Sequence, residues 1–271
     1  MPYDSIKFSV FTKPWKMPLP ELGRFVHDLG FDGVELPVRP GYQVEPERVA
    51  DLAQAVNVLA DFGVGVFSIA GPTDEPTLEA CAEAGVPIIR ICVGVGEPGY
   101  LAMEDEMHRL FDSLLPALDR CGVALGIQNH CDRCVTSAIG LRHLIEDYDP
   151  RQVCAVWDAA HCALEGEEPF LAVDILWSHL GMVNLKNAVR RLTTGPEAEV
   201  AQWEVYWTSG RQGLASWPTV AEELHKRDWR GPLCLTAEYS DEHAADRLIA
   251  EDLAFAQPLF AWGVGKEAAH V

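Results

Sequence analysis

QVCAVWDAAHCALEG, residues 152–166, is the stretch that decides the fold. It begins with a short apolar run of β-preferring residues, Val153 to Trp157, in which polar residues do not alternate. This pattern is typical of a strand buried on both faces. The run ends in Asp158, and His161 follows three residues later. A carboxylate at the end of a buried strand is costly unless a metal, an arginine or hydrogen bonds pair with it, so the corner is predicted to be functional. The alternative is that Asp158 caps the following helix.

Similar apolar runs, separated by amphipathic stretches, occur along the whole chain. We predict strands at 6–11, Gly33–Pro37, Gly65–Ala70, 88–93, 124–129, Val153–Asp158, 182–186 and 233–238. We predict helices at Leu19–Leu29, 46–62, 73–84, 104–121, 138–147, 170–180, Trp217–Lys226 and 242–262. Eight β–α units fit a closed (β/α)8 TIM barrel. A doubly wound open sheet is the alternative, and the absence of GxGxxG after the first strand weighs against it. Residues 1–262 are therefore predicted to form one domain, followed by a C-terminal tail at 263–271.

Composition limits the class of protein and its partners. The 271 residues, of which 48% are hydrophobic, suffice for one large core. A net charge of −20 disfavours nucleic acid and anionic membranes as partners. The first residues lack the pattern of a signal peptide, and the eight cysteines lie mostly singly in apolar segments, as expected of reduced thiols. We therefore expect a cytoplasmic protein with a small-molecule partner, and the sequence leaves a homo-oligomer open.

The connection after the seventh predicted strand is long, spanning residues 187–216. Connections of this length in compact domains are usually functional or disordered. Its aromatic residues, among them Trp203 and Trp207, argue against disorder. We predict a lid or substrate wall over the barrel mouth.

Polar side chains collect at the carboxyl ends of the predicted strands. They are Glu35, Arg90, Gln128, Asn129, His130, Asp158, His161, Asn184, Lys186 and Glu238. In a TIM barrel these ends converge on the face that carries the active site. Polar groups at so many strand ends are hard to explain as packing.

Six segments resemble one family: GFDGVEL, GIQNH, WDAAHCALEGEEP, VNLKN, GRQGLASWPTV and CLTAE. They are similar to those of the xylose-isomerase-like TIM barrels, the sugar-phosphate isomerase/epimerase superfamily, and the similarity covers nearly the whole chain. It implies an enzyme acting on a small carbohydrate. In that family Glu, Asp, His and Glu bind one divalent metal that polarises a ketose or hydroxyketone, and two glutamates move the proton.

The metal positions that this resemblance implies are Gln128, Asp158, Asn184 and Glu238. Asp158 and Glu238 match the family, whereas Gln128 and Asn184 place neutral amides at the other two positions. Hard cations accept amide oxygens, so manganese or magnesium is expected ahead of zinc, with weakened affinity. Complete loss of the metal is the alternative.

The same resemblance implies the catalytic groups. Because Gln128 cannot accept and return a proton, isomerisation or elimination is favoured over epimerisation. Glu238 is the expected base for proton abstraction next to a carbonyl, and Lys186 the expected electrophile. His161 is either a second catalytic group or a hydrogen-bonding partner of the substrate.

Five further residues are expected to bind substrate: His130, Glu35, Arg90, Trp207 and Arg211. Arg211, in SGRQG, resembles a family arginine that contacts hydroxyls or phosphate. The ring of Trp207 offers a face for a sugar. For Glu35 the alternative is a salt bridge to Arg39 or Arg90.

Two other functions stay open at the level of sequence. One is a non-catalytic carbohydrate-binding barrel that has lost its metal site, which the two amides favour. The other is the DNA-repair endonuclease branch of the same fold. That branch requires many histidines for several zinc ions and a basic face, so the charge of −20 and Asn184 speak against it.

Overall fold

The computed structural model describes residues 3–261, so the predicted tail at 263–271 and the last position of the predicted final helix lie outside the described residues. The strands are β1 (Lys7–Phe11), β2 (Gly33–Pro37), β3 (Gly65–Ala70), β4 (Ile88–Cys92), β5 (Ala124–Gln128), β6 (Val153–Asp158), β7 (Leu180–Leu185), β8 (Asn187–Leu192), β9 (Trp203–Thr208) and β10 (Pro232–Leu235). The helices are α1 (Leu19–Leu29), α2 (Leu52–Ala60), α3 (Glu75–Ala84), α4 (Tyr100–Cys121), α5 (Ala138–Ile145), α6 (Ala159–Leu164), α7 (Pro169–Leu176), α8 (Trp217–Lys226) and α9 (Ala245–Leu259). Three 3-10 helices cover Pro46–Asp51, Trp177–His179 and Glu242–Ala244.

Eight parallel strands close into a barrel in the order β1-β10-β7-β6-β5-β4-β3-β2. The pairing of Ser9 with Cys234 joins the first strand to the last. Helices lie between successive barrel strands, and the predicted (β/α)8 TIM barrel is confirmed.

The strands are apolar because both of their faces are covered. All six residues of β6 are buried. A cluster drawn from six strands fills the barrel interior: Phe11, Ala70, Ile88, Val156, Met182 and Cys234. Alternate residues such as Ile89 and Trp157 belong to the larger core between the strands and the helices. This apolar cluster lies inside the barrel, and polar side chains lie at the carboxyl ends of the strands.

The segment after β7, for which we predicted a lid or substrate wall, contains two strands that the sequence analysis did not predict. Asn187 pairs with Thr208, and the antiparallel ladder continues to Leu192 opposite Trp203, so β8 and β9 form a hairpin. On one face, Ala188 and Trp207 pack with Cys131 and Leu164. The alternation of apolar and polar residues in WEVYWT indicates such a half-buried strand. Trp207 of this hairpin lies over Lys186, and the substrate wall over the mouth stays a prediction.

Helix bounds differ from prediction at several places; α4, for example, begins at Tyr100 and not at residue 104. The predicted helix at 46–62 is a 3-10 helix followed by α2, because Arg48 has non-helical backbone angles. The predicted helix at 170–180 ends at Leu176 and continues as a 3-10 turn.

Two general properties complete the fold. In the part of the chain that the structure describes, no helix combines the length and apolarity needed to cross a membrane. All eight cysteines are free thiols, as the sequence predicted.

Candidate active site

Each barrel strand contributes at least one polar side chain at or near its carboxyl end. These mouth residues are Lys13, Glu35, Ser68, Arg90, Gln128, Asp158, Lys186 and Glu238. Parallel strands bring their carboxyl ends to the same rim, so residues far apart in sequence become neighbours. Hydrogen bonds and ion pairs connect all eight.

Glu35 and Arg90 form a buried bidentate pair. Arg90 donates from Nε to Oε1 and from Nη2 to Oε2 of Glu35, each over 2.8 Å, and Ser68 Oγ donates to Oε1 over 3.0 Å. Burial alone would lower the pKa of the guanidinium, but the charge and hydrogen bonds of Glu35 raise it above its usual value. The salt bridge considered for Glu35 is therefore the arrangement that the structure contains, with Arg90 as its partner.

Gln128 connects this pair to Asp158. Its Oε1 accepts from Arg90 Nη1 over 2.8 Å, and its Nε2 donates to Asp158 Oδ2 over 2.9 Å. A guanidinium has donors only, so it determines which end of the amide faces it. The amide therefore presents N–H groups, and not its oxygen, to Asp158.

Asp158 has two roles, one for each carboxylate oxygen. Oδ1 accepts from the backbone N–H groups of Ala160 and His161, which caps α6 as the alternative prediction had it. Oδ2 lies 3.8 Å from Lys186 Nζ and 3.8 Å from His161 Nε2. Burial raises the pKa of this carboxyl above its ordinary value, against the opposing charge of Lys186.

Lys186, directly after β7, lies between two carboxylates. Its Nζ donates to Glu238 Oε2 over 2.7 Å and stands 4.2 Å from the centroid of the Trp207 ring. Burial would lower its pKa, but the charges of Asp158 and Glu238 outweigh burial and raise it. The side chain is therefore a buried ammonium ion.

Glu238 follows β10. With 31% of its side chain exposed, it is more accessible to solvent than Glu35 and Asp158, the other two carboxylates among the mouth residues. Lys13 Nζ lies 3.7 Å from its Oε1. Burial would raise the pKa of Glu238, yet Lys186 and Lys13 lower it to about 2. The preceding Ala237 has a φ of 49°, a left-handed conformation that costs a non-glycine residue about 1 kcal/mol.

His161 is completely buried beside Asp158. Its Nδ1 accepts the backbone N–H of Cys131 over 3.0 Å, so the ring proton lies on Nε2, which has no hydrogen-bond partner. Burial lowers the pKa of the imidazole far below its usual value. The His130 ring contacts this ring, with centroids 3.9 Å apart and the ring planes tilted by 38°. His161 is thus a neutral N–H donor and not a base.

Asn184 pairs in register with Asp158 and is fully buried, and neither of its side-chain polar atoms has a partner. Buried polar atoms normally find partners. Asn184 and His161 Nε2 are therefore suited to binding groups of a ligand.

The four expected metal positions do not fit a divalent cation as their side chains stand. Gln128 presents N–H groups to Asp158, and the ammonium of Lys186 lies between Asp158 and Glu238. Among residues 3–261, the one cluster of His, Cys, Asp or Glu with converging ligand atoms is His130, Cys131 and His161, within 4.8 Å of one another.

That cluster is also poorly prepared for a metal. Burial, followed by the charge and hydrogen bond of Asp132, raises the pKa of the Cys131 thiol to about 12. Zinc binds the thiolate form of cysteine.

A cavity of about 710 Å³ lies above Glu238. Lys13, Tyr42, Trp207, Tyr239 and Glu242 are among the residues that line it. Its volume is within the range of small-molecule sites. Lys13, Ser68 and Tyr42 were not predicted from the sequence, although Lys13 follows the first strand as the other polar residues follow theirs.

Arg211 lies apart from the mouth residues. Its guanidinium is 4.0 Å from the centroid of the Phe255 ring on α9, and the side chain is exposed. Phe255 stacks on Trp217, outside the barrel strands. The structure does not bring Arg211 into the group formed by the other predicted site residues.

Comparison with known proteins places this architecture. The family model described as a xylose isomerase-like TIM barrel matches residues 24–259. No curated protein sequence matches the chain.

Several solved structures share the fold. The D-psicose 3-epimerase of Clostridium cellulolyticum H10, solved with D-tagatose, is 13% identical with a TM-score of 0.69, covering 94% of this chain and 99% of that chain. A 3-keto-D-glucoside 4-epimerase from E. coli is 16% identical with a TM-score of 0.68, covering 94% and 100%. A probable 3-DHS dehydratase from Bacillus anthracis is 13% identical with a TM-score of 0.68, covering 92% and 97%. At these identities the likeness establishes the fold alone.

Proposed function

Because the chain belongs to the xylose isomerase-like TIM barrel family, we propose that it is an isomerase or lyase acting on an uncharged keto sugar. The reaction begins with abstraction of a proton next to a carbonyl. Glu238 is the base, Lys186 is the electrophile, and the cavity above them holds the substrate.

The observation that carries this proposal is the contact between Lys186 Nζ and Glu238 Oε2, 2.7 Å apart, in which Glu238 lines the cavity and Lys186 lies behind it. Enolisation requires a base at a C–H bond and a positive group at the neighbouring carbonyl oxygen. In a ketose, the C–H bond that the base attacks lies on the carbon next to the carbonyl group. A carboxylate in contact with an ammonium meets both requirements at once.

The substrate oxygen is held by two donors. Lys186 Nζ and His161 Nε2 each lie 3.8 Å from Asp158 Oδ2, so both reach the same region of the mouth. A carbonyl oxygen placed there accepts from both, and its negative charge in the enolate is stabilised by groups that are already oriented. This assigns His161 a hydrogen-bonding role in place of proton transfer.

The electrons balance without an external reagent. Glu238 takes the proton from the carbon next to the carbonyl, the C–H electrons form a carbon–carbon double bond, and the carbonyl electrons move to oxygen. Return of the proton to the former carbonyl carbon, with oxygen-to-oxygen proton transfer, completes isomerisation. Departure of a hydroxyl from the β-carbon as water, with Glu238 supplying the proton, completes elimination.

Substrate binding strengthens the base. In the free protein the pKa of Glu238 is about 2, which makes the carboxylate a weak proton acceptor. A carbonyl oxygen that takes up the ammonium hydrogen bond removes a main cause of that low value. The pKa of Glu238 then rises when the proton has to be accepted.

The cavity favours an uncharged substrate over a sugar phosphate. Tyr42 and Trp207 supply flat apolar faces, while Glu238 and Glu242 supply negative charge. Lys13 is the one lysine or arginine among the described lining residues, and it already pairs with Glu238. Aromatic faces suit the C–H faces of a sugar ring, and paired cations leave little charge for phosphate.

A divalent metal, when bound, would polarise the same carbonyl oxygen. The donor groups described above do not suit one, and every step of the proposed reaction is carried by side chains of this chain.

A sugar-binding protein without turnover is the second candidate. The observation in its favour is the pKa of about 2 at Glu238, which describes a carboxylate committed to its ion pair. The endonuclease alternative gains nothing, because the described residues hold one potential metal cluster and that branch requires several zinc ions.

Hydrogen exchange separates the two candidates. The chain is incubated in deuterated water with a panel of uncharged ketoses, and deuterium next to the carbonyl is followed by NMR. The enzyme labels at least one sugar, and Glu238→Gln lowers the rate at least ~100-fold. Binding of a sugar that is never labelled would instead establish the binding protein.

A further inference from the structure

We propose that the ammonium of Lys186 has taken the position at which the family's architecture implies a metal ion, so that the barrel carries its own cation and binds no divalent ion between Asp158 and Glu238. The inference concerns the composition of the site and stands whichever reaction the site performs.

The charges of the mouth residues are balanced without a metal ion. The carboxylates are Glu35, Asp158 and Glu238, and the cations are Lys13, Arg90 and Lys186. Three negative charges are thus matched by three positive charges. A metal site needs carboxylates whose charge is uncompensated, because ligand charge largely determines affinity for hard cations. A divalent ion added to this balanced group would leave buried positive charge without a partner.

The direction of the Gln128 amide also disfavours a metal ion at Asp158. Rotating the amide to offer its oxygen to an ion at Asp158 would turn its NH2 group toward the Arg90 guanidinium. Two donors would then face each other in a buried place, and a 2.8 Å hydrogen bond to Arg90 would be lost. Arg90 is itself held by Glu35 through two bonds, so it cannot turn aside. Gln128 is therefore locked as a donor.

The tautomer of His161 excludes this residue as a metal ligand. A metal requires a bare ring nitrogen, and the nitrogen near Asp158 is Nε2. Removing its proton would place the proton on Nδ1, directly against the backbone N–H of Cys131, which now donates to Nδ1 over 3.0 Å. Asn184 Oδ1 is then the remaining neutral acceptor among the positions discussed.

Lys186 provides the positive charge between the two carboxylates that a metal ion would otherwise provide. Its Nζ lies 2.7 Å from Glu238 and 3.8 Å from Asp158, the two carboxylates that match the family's metal positions. The side chain is 5% exposed. The Trp207 ring covers the ammonium at 4.2 Å. A cation thus sits between the two acids, linked to the chain and unable to be removed by a chelator.

The test is manganese binding, measured by the electron paramagnetic resonance signal of free Mn²⁺ after treatment with a chelator. The wild type is expected to bind no Mn²⁺ at millimolar concentration at this site. The variant Gln128→Glu/Asn184→His/Lys186→Met removes the ammonium and restores a carboxylate and an imidazole. It is expected to bind one Mn²⁺ at a concentration at least ~100-fold below the millimolar concentration at which the wild type binds none.

Controls assign the binding to this site. Asp158→Ala in the triple variant is expected to abolish Mn²⁺ binding. If the triple variant does not fold, Gln128→Glu/Lys186→Met is used and is expected to gain weaker binding of one ion. Stoichiometric Mn²⁺ binding to the wild type that Asp158→Ala removes would overturn the proposal, as would a folded double or triple variant that gains none. Because no sugar is present, these outcomes are independent of the proposed reaction.

Discussion

Lys186 Nζ donates to Glu238 Oε2 over 2.7 Å, although the two residues follow different strands and lie 52 positions apart. The barrel closes them together through the pairing of β7 with β10. This single contact joins the proposed base to the proposed electrophile and lowers the pKa of the base to about 2. Several measurable properties depend on it.

Lys186→Met should raise the pKa of Glu238 toward its ordinary 4.5, because the largest opposing charge is gone. A carboxyl with a lowered folded pKa stabilises the fold above its ordinary pKa, and that contribution disappears as pH falls toward the folded value. The stability difference between wild type and variant should therefore be present at pH 7 and shrink between about pH 4.5 and 2. Melting temperatures across this range measure it. Lys13→Met, whose Nζ is 3.7 Å away and about half exposed, is the control and should show a smaller effect.

Glu35→Gln should destabilise the protein by about 3–5 kcal/mol, because it leaves the buried Arg90 charge unpaired. The exposed pair of Arg247 and Glu251 provides the comparison, and Glu251→Gln should cost less than about 1 kcal/mol. Urea unfolding measures both. Equal costs would mean that Arg90 gains water or another partner in the variant.

Trp207→Ala should weaken sugar binding, because its ring lines the cavity and covers Lys186. Arg211→Ala should leave binding unchanged, because its guanidinium lies over Phe255. Calorimetric titration with a bound sugar compares the two, with melting temperatures as a check on folding. Weakened binding in Arg211→Ala would show that this loop turns toward the mouth when the sugar binds.

Activity between pH 5 and 8 should show no step from His161, because burial keeps its imidazole neutral throughout. NMR of labelled histidine should report a proton on Nε2 across this range. His161→Ala should reduce turnover less than Glu238→Gln, since a hydrogen bond is lost and not the base. A titration of His161 near pH 6.5 would contradict the assigned tautomer and charge.

The sequence predicted the barrel well because the signal is local: each strand is a short apolar run buried on both faces. It also placed polar residues on one rim. It could not decide whether Glu35 binds substrate or Arg90, because that pairing exists only when β2, β3 and β4 are side by side.

Other features depended on side-chain direction. Arg211 and Trp207 lie four positions apart, yet one faces α9 and the other faces Lys186. The hairpin was missed because about ten residues separate its strands, without the two-residue turn that identifies most hairpins. The Gln128 substitution was visible in the sequence, but the direction of its amide is determined by Arg90.

The hairpin of β8 and β9 touches the barrel through a small apolar patch of Cys131, Leu164, Ala188, Val205 and Trp207. The rim beneath it is bound together by charge, so a change there disturbs many partners. The outer part of the hairpin, residues 191–204, is almost entirely exposed and can vary with little such penalty. An engineer seeking a new substrate should therefore exchange residues 191–204 and keep Asn187, which bonds Gly210 and Ala215, and Trp207, which covers Lys186.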